Sequence, residues 1–226
     1  MTQRPRLEAV LFDMDGTLVD SEKVWQGALA DLADHYGGVL SPAARHALIG
    51  ATTGESMEIF FRALGQPDQD HDAAGAWLEA RVMAIGSAGV VWRPGARELL
   101  LAARAAGVKT ALATATGRPI TEAMLDTIGR GNFDVTITDD DVANGKPHPD
   151  PYRTAAAKLG VETGNCVAIE DSPTGAASAV AAGCSVLAVP SEVDLSDLAG
   201  VTIARSLEDV DLAFLESLVV GRAGGA

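Results

Sequence analysis

Short apolar segments alternate along the chain with longer segments in which apolar residues recur every three or four positions. The short segments predict β-strands and the longer ones predict amphipathic helices. The predicted strands are Ala9–Asp13, Val108–Thr114, Val135–Thr138, Val167–Glu170, Ser185–Val189 and Val201–Ala204. The predicted helices between them are Ala96–Ala106, Ile120–Ile128, Pro151–Leu159 and Gly175–Ala182, each followed by a glycine that can end a helix. This alternation is typical of an α/β fold, in which a parallel sheet carries helices on both faces.

One long segment interrupts the alternation. From Asp20 to about Val91 the pattern is helical throughout. Ser21 is placed to cap the first helix of this segment, and further helices are predicted to begin at Ser41-Pro42, which Gly50 would close, at Glu55 and at Ala73. We therefore expect an all-helical domain of residues 19–92 inserted into an α/β core domain made of residues 1–18 and 93–226. The segments Leu18-Val19 and Val91–Pro94 would connect the two.

Polar residues follow the predicted strands at the positions where ligands bind to parallel sheets. Asp13 ends the first strand and Asp15 lies two residues further, while Thr114-Ala115 ends the second and Glu170-Asp171 ends the fourth. Lys146 lies in a loop between Gly145 and Pro147. Carboxylates at the end of a core strand are costly to bury unless a cation compensates their charge.

Several carboxylates that converge on one point suit Mg²⁺, which prefers oxygen ligands. A lysine and hydroxyl groups beside such a cation are typical of phosphoryl transfer. One carboxylate then remains available as a nucleophile and another can transfer protons. The pattern therefore predicts an enzyme that acts on phosphate groups.

The motif Asp13-Met-Asp-Gly-Thr-Leu-Val-Asp20 is followed in order by Thr114, Lys146-Pro147 and Glu170-Asp171. This ordered set resembles the four motifs of the haloacid dehalogenase superfamily. The helical insert resembles the small helical cap of its β-phosphoglucomutase-like subgroup. The resemblance implies a Rossmann-like core with a helical cap domain, and a Mg²⁺-dependent phosphoric monoester hydrolase that works through an aspartyl phosphate.

The resemblance also implies catalytic roles for individual residues. Asp13 would be the nucleophile, and Asp15 would act first as general acid and then as general base. Thr114 and the Ala115 amide would bind phosphoryl oxygens, and Lys146 would neutralise negative charge. Dehalogenating members of the superfamily lack the second carboxylate of the first motif and use no metal, so Asp15 argues against dehalogenation.

The same resemblance implies a metal site and substrate contacts. Asp13, the Asp15 carbonyl and Asp171 would hold Mg²⁺, and Glu170 would contribute directly or through water. Gly16 and Thr17 would shape the loop around the phosphate. The loop from Gly50 to Ser56 faces the active site in that subgroup, which makes Thr53 and Glu55 candidates for substrate contacts.

Composition limits the partners. The chain has 226 residues, 47% of them hydrophobic, and a net charge of −14. Such a charge disfavours nucleic acid and anionic membranes, and a phosphate site would need positive charge of its own. No secretory signal is visible, and the two cysteines, Cys166 and Cys184, lie in apolar segments. We expect a cytoplasmic monomer that binds a small phosphorylated metabolite.

Two other functions remain open. A phospho-accepting signalling domain uses a similar set of residues, but it has no helical insert. A sugar-phosphate mutase of the same subgroup carries a histidine on the first cap helix and an arginine in the cap loop, where gapless alignment places Trp25 and Thr53. The missing arginine favours hydrolysis, with a sugar phosphate as the expected substrate. Trp25, Trp77 and Trp92 are expected to pack within the cap or its connections rather than to stack on substrate.

Overall fold

The computed structural model describes residues 6–48, 53–191, 193, 195–196 and 198–223, without the side chains of residues 46, 53–55 and 220–223. Within these ranges six parallel strands form one sheet in the order β3-β2-β1-β4-β5-β6. The strands are β1 (Ala9–Phe12), β2 (Lys109–Ala113), β3 (Val135–Ile137), β4 (Cys166–Glu170), β5 (Ser185–Ala188) and β6 (Thr202–Ile203). All six predicted strands are therefore confirmed, with small differences at their ends.

Helices cover both faces of the sheet. They are α1 (Ser21–His35), α2 (Pro42–Ala47), α3 (Thr53–Leu64), α4 (His71–Ala88), α5 (Ala96–Ala105), α6 (Arg118–Ile128), α7 (Asp150–Leu159), α8 (Pro173–Ala182) and α9 (Leu212–Ala223). Helices α7 and α8 pack on one face, and α5 and α9 pack on the other. In the described part of the chain, no helix is long and apolar enough to cross a membrane.

Successive side chains of the central strand β1 point to opposite faces of the sheet and pack into two separate hydrophobic cores. Val10 and Phe12 of β1 point into one hydrophobic cluster, and Ala9 and Leu11 point into the other. All four side chains are fully buried. A strand buried on both faces reads as a continuous apolar run, which is why β1 was recognisable from the sequence. The predicted Rossmann-like α/β fold is confirmed.

Helix α9 was not predicted from the sequence. Its segment is apolar around most of its circumference, because Leu212, Phe214, Leu215 and Leu218 do not lie on one narrow face. Leu215 is nevertheless fully buried, while Phe214 is exposed. The helix is held by contact with β4 and β5, a tertiary interaction that periodicity does not reveal.

The interval without strands consists of α1 to α4 in the described residues, as predicted. Backbone hydrogen bonds from Asp20 to Val91 and from Arg93 to Leu18, both 2.8 Å long, join the segments that enter and leave it. Ser41 accepts a hydrogen bond from the backbone of α2, whereas Gly50 lies outside the described residues. The division at residues 18/19 and 92/93 stays a prediction.

The prediction that Ser21 caps α1 is wrong. Asp20 occupies the N-cap position, and its carboxylate pairs with Lys23 instead of capping the helix. Ser21 is the first helical residue; it is buried and lines the cavity described below. Helix α4 packs against α6 of the core, where Met124 lies 3.1 Å from the position a Cβ atom would take at Gly86.

Candidate active site

The end of β1 carries two of the predicted carboxylates into a tight loop. The Asp13 amide donates a 3.0 Å hydrogen bond to the Ile169 carbonyl, which continues the pairing of β1 with β4. Gly16 then adopts a φ of +75°, a left-handed conformation that favours glycine. A Cβ atom there would lie 1.9 Å from Asp171 Oδ2, so glycine also lets the loop from β1 approach the acidic pair that ends β4.

A lysine joins two of these carboxylates. Lys146 Nζ donates hydrogen bonds to Asp13 Oδ1 at 2.7 Å and to Glu170 Oε1 at 2.6 Å. The side chains of Lys146, Asp13 and Glu170 are 4%, 7% and 0% exposed. Glu170 also accepts hydrogen bonds from the hydroxyls of Tyr152 and Ser172. Such a buried ion pair is costly unless its remaining hydrogen-bonding capacity is satisfied, and Tyr152 and Ser172 supply that.

Asp13, Glu170 and Asp171 form a compact set of possible metal ligands. Each offers a carboxylate oxygen, and these oxygens lie within 4.8 Å of one another. Asp171 is oriented by a 2.7 Å hydrogen bond from the Ser191 hydroxyl. Oxygen donors at this spacing are suited to Mg²⁺, which prefers carboxylates and retained waters.

The side chain of Asp15 lies apart from this set. Its Oδ2 accepts hydrogen bonds from the hydroxyls of Thr116, at 2.7 Å, and Thr114, at 3.1 Å. Thr114 Oγ1 in turn accepts a 3.0 Å hydrogen bond from the Thr116 amide. The other oxygen, Asp15 Oδ1, is buried and has no hydrogen-bond partner within the described residues. Asp15 is thus held by one oxygen while the other remains available.

Burial and like charges change the acidity of this cluster. Burial raises the pKa of Asp13 well above its usual value; Lys146 opposes the shift, while Glu170 and Asp171 add to it. Burial likewise raises the pKa of Asp171 to about 6, against the hydrogen bond from Ser191. For Lys146, burial lowers the pKa, but Asp13 and Glu170 more than offset this and raise it. The cluster therefore holds excess negative charge that one lysine does not balance.

Asp13, Asp15, Lys146 and Asp171 form the floor of a cavity of about 810 Å³ between the sheet edge and the inserted helices. Its volume falls in the range of small-molecule sites. The lining residues from the core include Asp13, Asp15, Thr114, Ala115 and Lys146, and those from the insert include Trp25, Leu29, Arg45 and Leu78. The arrangement can bind a small molecule between a charged floor and a helical roof.

A family model described as haloacid dehalogenase-like hydrolase matches residues 7–183. The chain belongs to the haloacid dehalogenase-like hydrolase family. The family expected from the four motifs is thereby confirmed.

Relatives of this hydrolase align over most of its length. Hexitol phosphatase A of Escherichia coli is 34% identical over 206 residues, which cover 91% of this chain and 94% of that protein. Phosphorylated carbohydrates phosphatase of Thermotoga maritima is 33% identical over 181 residues, which cover 78% of this chain and 82% of that protein. The crystal structure of a CbbY variant from Rhodobacter sphaeroides in complex with xylulose-1,5-bisphosphate has a TM-score of 0.76 at 30% identity, covering 93% of this chain and 99% of that one.

The structure of this hydrolase brings most of the predicted site residues together. The four motif carboxylates, Thr114, Ala115 and Lys146 lie around one edge of the sheet, with Gly16 and Thr17 in the loop beside them. Thr17 is 2% exposed, and its hydroxyl has no hydrogen-bond partner in the described chain. Thr53 and Glu55 belong to the first turn of α3, but their side chains lie outside the described residues.

Sequence reasoning missed four groups that contact the site of this hydrolase. Thr116 and Ser191 orient Asp15 and Asp171, Tyr152 bonds Glu170, and Arg93 lines the cavity. Thr116 could have been predicted as a site residue, because it lies two residues after Thr114 at the end of the same strand. Tyr152 and Ser191 could not have been predicted, since only the fold brings them close. Trp25 packs against the hydrophobic core as expected, and it also lines the cavity.

Proposed function

We propose that the chain is a Mg²⁺-dependent phosphatase that hydrolyses a small phosphorylated metabolite through an aspartyl phosphate on Asp13. The observation that carries this proposal is the pairing of Asp13 with Lys146 at the floor of the cavity, with Asp15 two residues further. The Lys146 ammonium opposes the rise in the pKa of Asp13, and it can offset the negative charge of a phosphate that approaches this carboxylate.

The proposed reaction has two steps. In the first, an Asp13 oxygen bonds to phosphorus, the ester P–O bond breaks, and the leaving alcohol takes a proton from the Asp15 carboxyl group. In the second, Asp15 accepts a proton from a water molecule whose oxygen attacks the same phosphorus. The bond from phosphorus to Asp13 then breaks and releases inorganic phosphate. Thr114 and Thr116 would orient Asp15 for both transfers.

The acidic cluster fits the expected metal. Asp13, Glu170 and Asp171 offer oxygen donors, and their mutual repulsion contributes to the raised pKa values of Asp13 and Asp171. These residues, with the Asp15 carbonyl, would hold Mg²⁺. When bound, Mg²⁺ would offset the excess negative charge and polarise a phosphoryl oxygen.

A phosphorylated carbohydrate is the first substrate class to test. The names of two relatives, hexitol phosphatase A and phosphorylated carbohydrates phosphatase, support this choice, as does the xylulose bisphosphate bound to the CbbY variant. Contacts from Thr53 and Glu55, a monomeric state, a cytoplasmic location and the boundaries of the cap domain at residues 19 and 92 stay predictions.

Release of inorganic phosphate from a panel of phosphorylated metabolites tests the proposal. The purified chain with Mg²⁺ should release phosphate, and Asp13→Asn should reduce kcat by more than about a hundredfold, given what even one acid–base group contributes. Acid-quenched samples should contain phosphate covalently attached to the wild-type protein and none attached to Asp13→Asn. Activity of Asp13→Asn near the wild-type level would reject covalent catalysis.

A mutase remains the alternative enzyme, because an aspartyl phosphate can return its phosphate to a sugar. Incubation with β-glucose 1-phosphate and a trace of glucose 1,6-bisphosphate separates the two. Phosphate release faster than formation of glucose 6-phosphate supports the phosphatase, and the reverse supports the mutase. A phospho-aspartate that persists for minutes without releasing phosphate would instead support a signalling domain.

A further inference from the structure

The roof of the cavity contains an apolar chamber that the proposed chemistry does not use. We define the chamber by Trp25 and Leu29 of α1, Leu40 and Leu48 on either side of α2, and Leu78 of α4, all of which line the cavity. Leu40, Leu48 and Leu78 are 3%, 8% and 2% exposed, so the apolar part of the lining is largely shielded from solvent. Trp25 and Leu29 lie four residues apart on one face of α1 and form its near wall.

Several described polar side chains beside the chamber already have hydrogen-bond partners. Gln26 donates a hydrogen bond to Glu22, and Arg45 Nε donates to the Leu40 carbonyl at 3.3 Å. Ser56 has a partner of its own. Among the described residues, the chamber therefore offers few free polar side chains to replace the water around a heavily hydroxylated substrate, and an apolar pocket of this kind holds water poorly.

We propose that the substrate is a phosphate monoester whose alcohol carries an apolar group, alkyl or aryl, which occupies the chamber while the phosphate lies at Asp13. This inference rests on the proposed phosphatase function and narrows its substrate class. The apolar group is either a substituent on a carbohydrate or the body of a simpler alcohol. A plain hexitol phosphate would leave five hydroxyl groups facing leucine side chains and would bind less well.

Burial of apolar surface predicts a graded effect. Each methylene moved from water into an apolar site contributes about 0.8 kcal/mol, which corresponds to about fourfold in affinity. In a series of n-alkyl phosphates, kcat/KM should therefore rise by about threefold to fourfold per added methylene until the chamber is full. A site built for hydroxyl groups would show no such series.

The test compares two substrates that have the same number of carbon atoms. n-Hexyl phosphate and glucitol 6-phosphate differ by the hydroxyl groups of the chain, so their ratio of kcat/KM measures the preference for an apolar body. The ratio should favour hexyl phosphate by about tenfold or more, and kcat/KM should rise from ethyl to butyl to hexyl phosphate. An equal or better rate with glucitol 6-phosphate, or a flat alkyl series, would overturn the proposal.

Acetyl phosphate separates this proposal from the proposed function. It is a small phosphoryl donor that does not reach the chamber. Turnover of acetyl phosphate with no preference for hexyl phosphate would reject the substrate class and leave the phosphatase intact. No phosphate release from any compound, acetyl phosphate included, would overturn both.

Variants locate the preference in the chamber. Leu29 is only partly buried, so Leu29→Gln should fold, and it should lower the hexyl-to-glucitol ratio by about fivefold or more by placing an amide in the wall. Leu64, a partly buried residue of α3 that packs beside Gly38 away from the cavity, gives the matched control. Leu64→Gln should leave the ratio unchanged. A wild-type ratio in Leu29→Gln would contradict the assignment of the chamber.

Discussion

Gly175, in the first turn of α8, lies directly against the carboxylate of Glu170. A Cβ atom at Gly175 would lie 2.0 Å from both Glu170 oxygens, closer than any side chain can approach. Likewise, a Cβ atom at Gly16 would lie 1.9 Å from Asp171 Oδ2. Each member of the acidic pair that ends β4 thus depends on a glycine elsewhere in the chain to leave room for its carboxylate.

The first prediction concerns Gly175→Ala. The added methyl group should displace Glu170 and thereby disturb Lys146, which bonds both Glu170 and Asp13. Overpacking of this kind costs about 1–3 kcal/mol of unfolding free energy, and kcat should fall by about tenfold or more. Apart from its chain neighbours, no described residue has a heavy atom within 4 Å of the equivalent Cβ position at Gly164, so Gly164→Ala is the control and should be close to neutral. Urea denaturation measures the unfolding free energy of each variant, and steady-state kinetics measure its kcat. A wild-type kcat in Gly175→Ala would show that the position of Glu170 does not depend on the glycine.

Thr116 provides the second prediction. Its hydroxyl makes the shorter of the two hydrogen bonds to Asp15 Oδ2, at 2.7 Å. Thr116→Val removes this bond and keeps the shape, so kcat should fall by about tenfold, since hydrogen bonds to charged groups contribute about 1.5–3 kcal/mol. KM should change little. Thr116→Ser keeps the hydroxyl and should recover most of kcat. Equal loss in the valine and serine variants would assign Thr116 a packing role instead.

The third prediction concerns Lys146→Met. Removal of the ammonium leaves Asp13 and Glu170 buried with like charges, and breaking a buried pair in this way costs about 3–5 kcal/mol. Unfolding by urea should show this loss, and catalysis should be abolished. The second substitution Glu170→Gln should restore part of the stability because it removes one of the uncompensated charges. Lys158→Met, on the exposed side of α7, should be neutral. Stability of Lys146→Met equal to wild type would contradict the energetic role of the pair.

The floor of the site could be predicted from the sequence because it follows from regular structure. Asp13, Thr114 and Glu170 each end an apolar segment, and the carboxyl ends of parallel strands meet at one edge of a sheet. The groups that orient them could not be predicted in the same way. Tyr152 reaches Glu170 from within α7, a contact that depends on how this helix packs against the sheet. The apolar chamber likewise depends on how α1, α2 and α4 are arranged. In the sequence, the apolar residues of these helices look like the ordinary buried faces of amphipathic helices.

The fourth prediction links pH to metal binding. The pKa of Asp171 is raised to about 6 and that of Asp13 is also raised, mainly by burial, so both groups bind protons more tightly in the folded chain. Without metal, they stabilise the fold below their usual pKa, and this contribution is lost as the pH rises through about 6. The Tm of chelator-treated protein should therefore fall as the pH rises from about 4 through about 6.

Mg²⁺ should remove this fall, because it binds the ionised carboxylates. At a free concentration of about 100 times Kd, a ligand that binds only the folded state adds about 2.7 kcal/mol. Thermal denaturation with excess Mg²⁺ should accordingly give a Tm at about pH 7 that is at least as high as at about pH 4. Asp171→Asn should show a smaller fall without metal. A Tm insensitive to Mg²⁺ at neutral pH would contradict a metal site at this cluster.

The last prediction concerns Arg93, which lines the cavity from the segment that leads back into the core. The chain has a net charge of −14 and Lys146 is engaged with two carboxylates, so a cation besides Lys146 and the proposed Mg²⁺ would help to attract a phosphorylated substrate. The Arg93 guanidinium is partly buried and makes no hydrogen bond or ion pair within the described residues, which leaves it available to an anion.

Arg93→Met should raise KM for phosphorylated substrates by about tenfold or more, with a smaller change in kcat, and should weaken the dependence of KM on salt. Arg97, four residues further and exposed on α5, does not line the cavity and is the matched control; Arg97→Met should leave KM within about a factor of two. An unchanged KM in Arg93→Met would show that Arg93 makes no contribution to binding the phosphate.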